Sequence, residues 1–225
     1  MVLGIIPARY ASTRFPGKPL VDIHGKTMIR RVCEQAQQAA SIDTVVVATD
    51  DVRISQHVLG WGGQVFMTDS AHPSGTDRCA EVVRKHFPQA DVVVNIQGDE
   101  PFIQPGQIDL LVRTLLDNQW ADIATLAKKA ESPALLDNPN TVKVVFSSST
   151  RQALYFSRYP VPFLRGVEPA NRLAHGMHYK HIGLYAYRRL ALLDIATYSP
   201  TPLEQAESLE QLRWLEAGLK IGLVE

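Results

Sequence analysis

Residues 5–20 read Ile5-Ile6-Pro7-Ala8-Arg9-Tyr10-Ala11-Ser12-Thr13-Arg14-Phe15-Pro16-Gly17-Lys18-Pro19-Leu20. Together with the residues before it, Val2 to Ile6 is an unbroken apolar run, the pattern of a strand covered on both faces. Three fixed cations, Arg9, Arg14 and Lys18, follow on one loop. The small residues Ala8, Ala11, Ser12 and Gly17 let the backbone approach a ligand, and Pro16 and Pro19 stiffen the exit. A basic loop with accessible N–H groups at the end of a buried strand suits a polyphosphate. It is not a Walker A loop, which needs a glycine where Ser12 stands and Ser or Thr where Pro19 stands. Gly4 and Gly17 are too few and too far apart for a dinucleotide fingerprint.

Outward from this loop the chain alternates. A helix is predicted from Thr27 to Ala40, with Met28, Ile29, Val32, Cys33 and Ala36 on one face. Thr44 to Ala48 reads as a strand, and Asp50 or Asp51 can cap the helix that carries Val52, Ile54, His57 and Val58. Gln64 to Met67 is a short strand, Gly75 to Phe87 a helix, Asp91 to Ile96 a strand and Pro105 to Leu116 a helix opened by its proline. This alternation predicts an α/β fold, a mostly parallel Rossmann-like sheet flanked by helices. After Trp120 the rhythm loosens. Ile123 to Ala127, Val142 to Phe146 and Ala153 to Phe156 are expected as strands of a smaller, more antiparallel region. Tyr159 to Lys180 is expected as loop, His181 to Tyr187 as strand, and Glu204 to Gly218 as one helix with Leu209, Leu212, Leu215 and Leu219 toward the core.

The 225 residues balance 23 Lys and Arg against 23 Asp and Glu. A partner of long nucleic acids is expected to be more basic, so the cationic loop is read as a device for a small anion. Cys33 and Cys79 lack metal-site spacing and are expected as buried thiols. No leader pattern opens the chain, and no apolar run approaches the ~20 residues of a membrane span. The expectation is a soluble cytoplasmic protein with no membrane insertion.

The strand ending at Ile96 runs into Gln97-Gly98-Asp99-Glu100-Pro101. Ligands of open parallel sheets sit beyond the carboxyl ends of the strands, where the first loop also points. Asp99 facing a cationic phosphate loop makes sense if Mg²⁺ lies between them, since that ion takes few protein oxygens and several from phosphate. The alternative is that Asp99 caps the helix near Pro105. Glu100 is either a partner of that carboxylate or a solvated turn residue. Ser74 or Thr76 can cap the helix that follows, but capping does not explain Arg78 in its first turn, where a cation opposes the helix dipole. Arg158 and Arg165 flank a proline-rich loop, either as surface charge or as a fork for a carboxylate. His181 and Tyr185 share a strand face. Glu210 and Gln211 lie in a leucine-rich helix and say little alone.

Taken in order, Pro7-Ala8-Arg9 through Pro16-Gly17-Lys18-Pro19-Leu20, Ser74-Gly75-Thr76-Asp77-Arg78, Gln97-Gly98-Asp99-Glu100-Pro101, Tyr155-Phe156-Ser157-Arg158, His181-x-Gly183-x-Tyr185 and Leu209-Glu210-Gln211-Leu212-Arg213 closely resemble the sugar-acid cytidylyltransferases. The later motifs resemble the branch that acts on 3-deoxy-D-manno-octulosonate (Kdo), and the resemblance spans essentially the whole chain. Asp77 stands where members often carry Glu. The resemblance implies a nucleotidyltransferase-type fold over 1–225, with a sugar-binding and dimerisation region near 128–180. It implies that CTP and Kdo give CMP-Kdo and pyrophosphate with Mg²⁺, for lipopolysaccharide synthesis, in a homodimer. Arg9, Lys18 and Asp99 are then the catalytic candidates, with Asp99 on the metal. Ala8, Arg9, Ser12, Arg14, Lys18, Ser74 and Arg78 become nucleotide-binding candidates. Gln97, Arg158, Arg165, His181, Tyr185, Glu210 and Gln211 become sugar-binding candidates. An 8-amino-Kdo or sialic acid acceptor, or a nucleotide-sugar-binding protein without turnover, stays open. The family continues into a Gly-x-Asp-Thr-Pro-Glu-Asp-like segment whose first Asp is a second metal ligand. The sequence in hand stops at Gly222-Leu223-Val224-Glu225, so that ligand is expected to lie beyond Glu225 or to be lacking.

Overall fold

A computed structural model describes residues 1–11 and 15–225. The described chain forms two compact units, 1–113 with 184–197, and 114–183 with 198–225. The 128–180 segment lies wholly within the second.

The first unit is a parallel sheet between helices. Its elements are β1 (Val2–Ala8), a small hairpin of β2 (Asp22–Ile23) and β3 (Lys26–Thr27), α1 (Met28–Ala36), β4 (Thr44–Thr49), α2 (Val52–Gly60), β5 (Val65–Met67), α3 (Gly75–His86), β6 (Val92–Asn95) and the larger part of α4 (Pro105–Asp117). β1 lies between β4 and β6, parallel to both, with Gly4 opposite Val45 and Val94. β5 extends the sheet parallel to β4. The sequence supplies the reason: Leu3, Ile5, Ile6, Val46, Val47, Val93 and Val94 are wholly buried, as strands covered on both faces require. Asp51 is the cap of α2, accepting from the Arg53 N–H at 2.9 Å. Ser74 caps α3 in a reciprocal box with Asp77, with an acidic residue at the positive end of the helix. Cys33 and Cys79 are free buried thiols, and burial pushes Cys33 up to about 12.

The second unit contains β7 (Ile123–Lys129), α5 (Pro133–Asp137), β8 (Lys143–Phe146) and β9 (Ala153–Ser157). The strand β10 (Tyr179–Arg188) gives its first half to this unit and its second half to the first unit. There it pairs antiparallel with β6 and continues into α6 (Arg189–Ile195). α7 (Pro202–Glu207), α8 (Glu210–Glu216) and β11 (Ile221–Val224) complete the second unit. β8 and β9 are antiparallel, β8 meets the start of β10 antiparallel, and β11 is parallel to β7. The result is the mostly parallel α/β fold with a smaller antiparallel part that the sequence predicts.

Three boundaries differ. α1 stops at Ala36 because the N–H groups of Gln38 and Ala39 bond three residues back, to Gln35 and Ala36, and tighten the end into a turn. The single helix expected from Glu204 to Gly218 is two. Pro202 and the Thr201–Glu204 capping box start the first earlier, and Ser208 breaks the run at φ 51°, ψ 50°. The restart changes the buried face: Leu209, Leu212 and Trp214 are buried, while Leu215 and Leu219 are only partly so. The loop expected from Tyr159 to Lys180 contains a 3₁₀ stretch, Pro169–His175.

Candidate active site

Because β1 and β6 are parallel neighbours, with Ile5 opposite Asn95, the loops that follow them leave the same edge of the sheet. Between them lies a cavity of about 180 Å³, lined by Ala8, Arg9, Lys18, Gln97, Gly98 and Asp99 between Pro7 and Pro19. This brings all three catalytic candidates together. The volume is below the ~300–1,000 Å³ of pockets that enclose a whole drug-sized ligand and suits the phosphate end of a nucleotide.

Each wall has a local cause. Gly17 takes φ +73°, the left-handed conformation that glycine adopts without penalty, and starts the short 3₁₀ turn that carries Lys18. Its N–H donates to the Tyr10 carbonyl at 2.9 Å and closes the base of the loop. An added Cβ there would lie 3.1 Å from the Tyr10 ring. That ring is covered by the Arg53 guanidinium at 3.3 Å from its centroid. Arg53 is itself held by Asp51 at 2.6 Å, and this bond keeps the Asp51 carboxyl below its ordinary range. Tyr10 and Arg53 were not legible as parts of the site, since 43 positions separate them. On the other wall Gly98 sits so close that a Cβ would meet the Pro7 carbonyl oxygen at 3.0 Å.

Lys18 Nζ donates to Asp99 Oδ2 at 2.6 Å. Both side chains are substantially exposed, so the pair adds little to stability. Its importance is placement: a cation and a carboxylate meet in the pocket. Asp99 does not cap α4; the Gln104 N–H there donates to Gln107. Arg9 donates from its guanidinium to the His72 carbonyl. α3 begins beside the same edge, since a Cβ on Gly75 would lie 3.0 Å from Pro7 Cγ, and Ser74 is its cap. Ser12 and Arg14 lie outside the described residues.

Arg78 is not among the residues that line this pocket. It is fully buried and donates to Thr68 Oγ1 at 2.7 Å and Asp50 Oδ2 at 2.8 Å. The cation in the first turn of α3 answers the Asp50 carboxylate inside the unit. Arg78→Met should therefore destabilise the protein by about 3–5 kcal/mol by leaving Asp50 without its partner. Urea unfolding of the single variant and of Arg78→Met with Asp50→Asn checks this. A normal unfolding midpoint with weakened CTP use would restore the nucleotide role.

In the first unit, Tyr185 is nearly buried opposite Asn95 and stacks on Tyr187 at 5.9 Å. In the second unit, the Arg158 guanidinium is bonded to backbone carbonyls. It donates to those of Glu207 at 2.5 Å, Pro139 at 2.9 Å and Ser208 at 3.2 Å. Arg165 is exposed. Glu210 accepts from Arg213 at 3.0 Å, and Gln211 is buried. His181 is buried against Phe156, with Nε2 2.9 Å from Thr125 Oγ1.

Burial lowers the His181 pKa from 6.5 to about 3. The folded state then refuses a proton that the unfolded chain accepts. The stabilisation is intact above pH 6.5 and declines as pH falls below it, by up to about 1.4 kcal/mol per pH unit. His181→Gln should flatten the fall in urea midpoint between about pH 6.5 and 5. Parallel slopes for variant and parent would show that His181 does not set this window.

Among the described residues no group of three or more His, Cys, Asp and Glu side chains could hold a metal. Asp99 is the carboxylate among the described lining residues. One carboxylate beside the cations Arg9 and Lys18 fits the mode of Mg²⁺, which completes its shell with phosphate and water.

Comparison with known proteins gives the family and the fold. A family model described as Cytidylyltransferase matches residues 3–221. A 3-deoxy-manno-octulosonate cytidylyltransferase of Parabacteroides distasonis is 52% identical, over 99% of this chain and 90% of the relative. One from Cytophaga hutchinsonii is 51% identical, over 98% of this chain and 87% of the relative. A solved CMP:2-keto-3-deoxy-manno-octonic acid synthetase complexed with CTP superposes with a TM-score of 0.92 at 45% identity, covering 100% of this chain and 89% of that one.

Proposed function

This chain belongs to the cytidylyltransferase family, and from that premise we propose that it transfers CMP from CTP to the anomeric hydroxyl of Kdo. The products are CMP-Kdo and pyrophosphate. The observation that carries the reading is the pocket that gathers Arg9, Lys18 and Asp99 at the carboxyl edge of the parallel sheet, with Lys18 and Asp99 2.6 Å apart.

In this reaction the hydroxyl oxygen of Kdo gives up its proton to solvent and bonds to the α-phosphorus, and the bond from that phosphorus to the α–β bridging oxygen breaks, so that pyrophosphate leaves with that oxygen. The barrier is one of positioning and charge, because an anionic sugar meets an anionic nucleotide. Arg9 and Lys18 hold the β and γ phosphates and stabilise the negative charge that builds on departing pyrophosphate. Ala8 and Gly98 leave room for the phosphates against the strand ends. Without a ligand, Lys18 and Asp99 neutralise one another. With Lys18 on phosphate, Asp99 would be the carboxylate available to hold Mg²⁺, and the ion would supply charge neutralisation at the reacting phosphorus.

The wider reading is a homodimer formed through the second unit, working in lipopolysaccharide synthesis in the bacterial cytoplasm. Among the described residues no helix is long and apolar enough to cross a membrane. Gln97, which lines the pocket, and Arg165, which is exposed, are kept as sugar-side candidates. The test is pyrophosphate release from CTP and Mg²⁺ with Kdo, 8-amino-Kdo or a sialic acid in parallel. Release that depends on Kdo, with CMP-Kdo as the coupled product, is expected. CTP binding without release on any of the acids would overturn turnover, and preference for another acid would overturn the acceptor.

A further inference from the structure

The residue that orients Arg9 is itself held in place. Arg9 donates to the backbone carbonyl of His72, in the segment between β5 and α3. A carbonyl partner fixes a guanidinium without neutralising it, whereas a carboxylate there would compete with phosphate. The segment is organised by Glu81, one turn and more into α3. Glu81 Oε2 accepts from the Asp69 N–H at 2.9 Å and meets His72 Nε2 at 2.5 Å. Its other oxygen accepts from Lys85 Nζ at 2.5 Å. Asp69 in turn accepts from the Ala71 N–H at 2.8 Å. Since an ionised carboxylate only accepts, His72 carries its hydrogen on Nε2.

Glu81 is nearly buried. Burial alone would raise its pKa, but Lys85, the Asp69 N–H and His72 outweigh it and hold the carboxyl at about 2. A buried anion is expensive unless it is well bonded. Here its bonds go largely to the one segment that touches Arg9. We propose that Glu81, through His72, is a positioning residue that aims the Arg9 guanidinium into the phosphate pocket. The proposal rests on the reading of Arg9 as a phosphate-holding group.

The test is a double-mutant cycle on CTP binding, measured by calorimetry without Kdo, with KM and kcat alongside. Glu81→Gln should weaken CTP binding about tenfold, within the 10²-fold that misplacement of a group by about 1 Å can cause. In an Arg9→Ala background the same change should matter less than about twofold, because the group it aims is gone. His72→Ala should show a smaller effect with the same dependence on Arg9. It decides the matter if Glu81→Gln does not fold. Additive effects in both backgrounds, or a loss of stability with unchanged CTP affinity, would overturn the positioning role while leaving the reading of Arg9 in place. Unchanged CTP binding by Arg9→Ala would overturn that reading, and the proposal with it.

Discussion

Asp99→Asn should reduce turnover by about 10³-fold, equivalent to roughly 4 kcal/mol of barrier, and leave the fold intact. The amide keeps the shape but loses the anionic oxygen that Mg²⁺ prefers. The fold should survive because Asp99 is half-exposed and its ion pair with Lys18 lies at the surface. CTP affinity should fall much less than turnover, since Arg9 and Lys18 remain on the loop. Pyrophosphate release at saturating CTP, Kdo and Mg²⁺, set beside a thermal melt and CTP calorimetry, separates these effects. A folded variant with near-normal turnover would remove Asp99 from the mechanism.

Asp99 was legible because two signals converge on it: a strand dominated by Val92, Val93, Val94 and Ile96 just before it, and the rule that ligands gather at strand ends. The same rule placed Arg9 and Lys18. Gln97 and Ala8 follow from adjacency to these residues. Arg78, a cation in the first turn of a helix, is anomalous by the dipole argument, but the sequence does not say whether a ligand or a carboxylate of the same fold answers it. Asp50, 28 positions away, does so. Arg158 is similar: its fork bonds three carbonyls brought together only by folding. The helix expected from Glu204 failed for a local reason. Leucine spacing continues smoothly through Ser208, and nothing in that spacing reports a residue at φ +51°. Contacts outside the helix set the phase of α8, with Arg213 bonded to the Tyr198 carbonyl at 2.9 Å and paired with Glu204 of α7 at 3.4 Å.

Lys18→Ala should raise the KM for CTP by about tenfold to a hundredfold, from the loss of one charge-assisted hydrogen bond to phosphate worth roughly 1.5–3 kcal/mol. Two roles for this lysine make different predictions. If it serves only to pair with Asp99, its removal leaves an exposed carboxylate. Exposed pairs contribute about 0–1 kcal/mol, so little would change in stability or in CTP use. If it exchanges Asp99 for phosphate, the effect concentrates on CTP and on the departure of pyrophosphate, with the Kdo parameters nearly untouched. Arg165→Ala is the complementary variant, expected to raise the KM for Kdo and leave that for CTP alone. Full kinetics of both variants in both substrates give the pattern. A Lys18→Ala enzyme with normal CTP kinetics would make the 2.6 Å contact a surface ion pair and nothing more. A change confined to CTP in Arg165→Ala would remove Arg165 from the sugar side. An exchange of partners at Lys18 would also account for the Gly17 turn. The ammonium would have to reach both Asp99 and the phosphates from one fixed base, and the backbone bond from Gly17 to Tyr10 supplies that base.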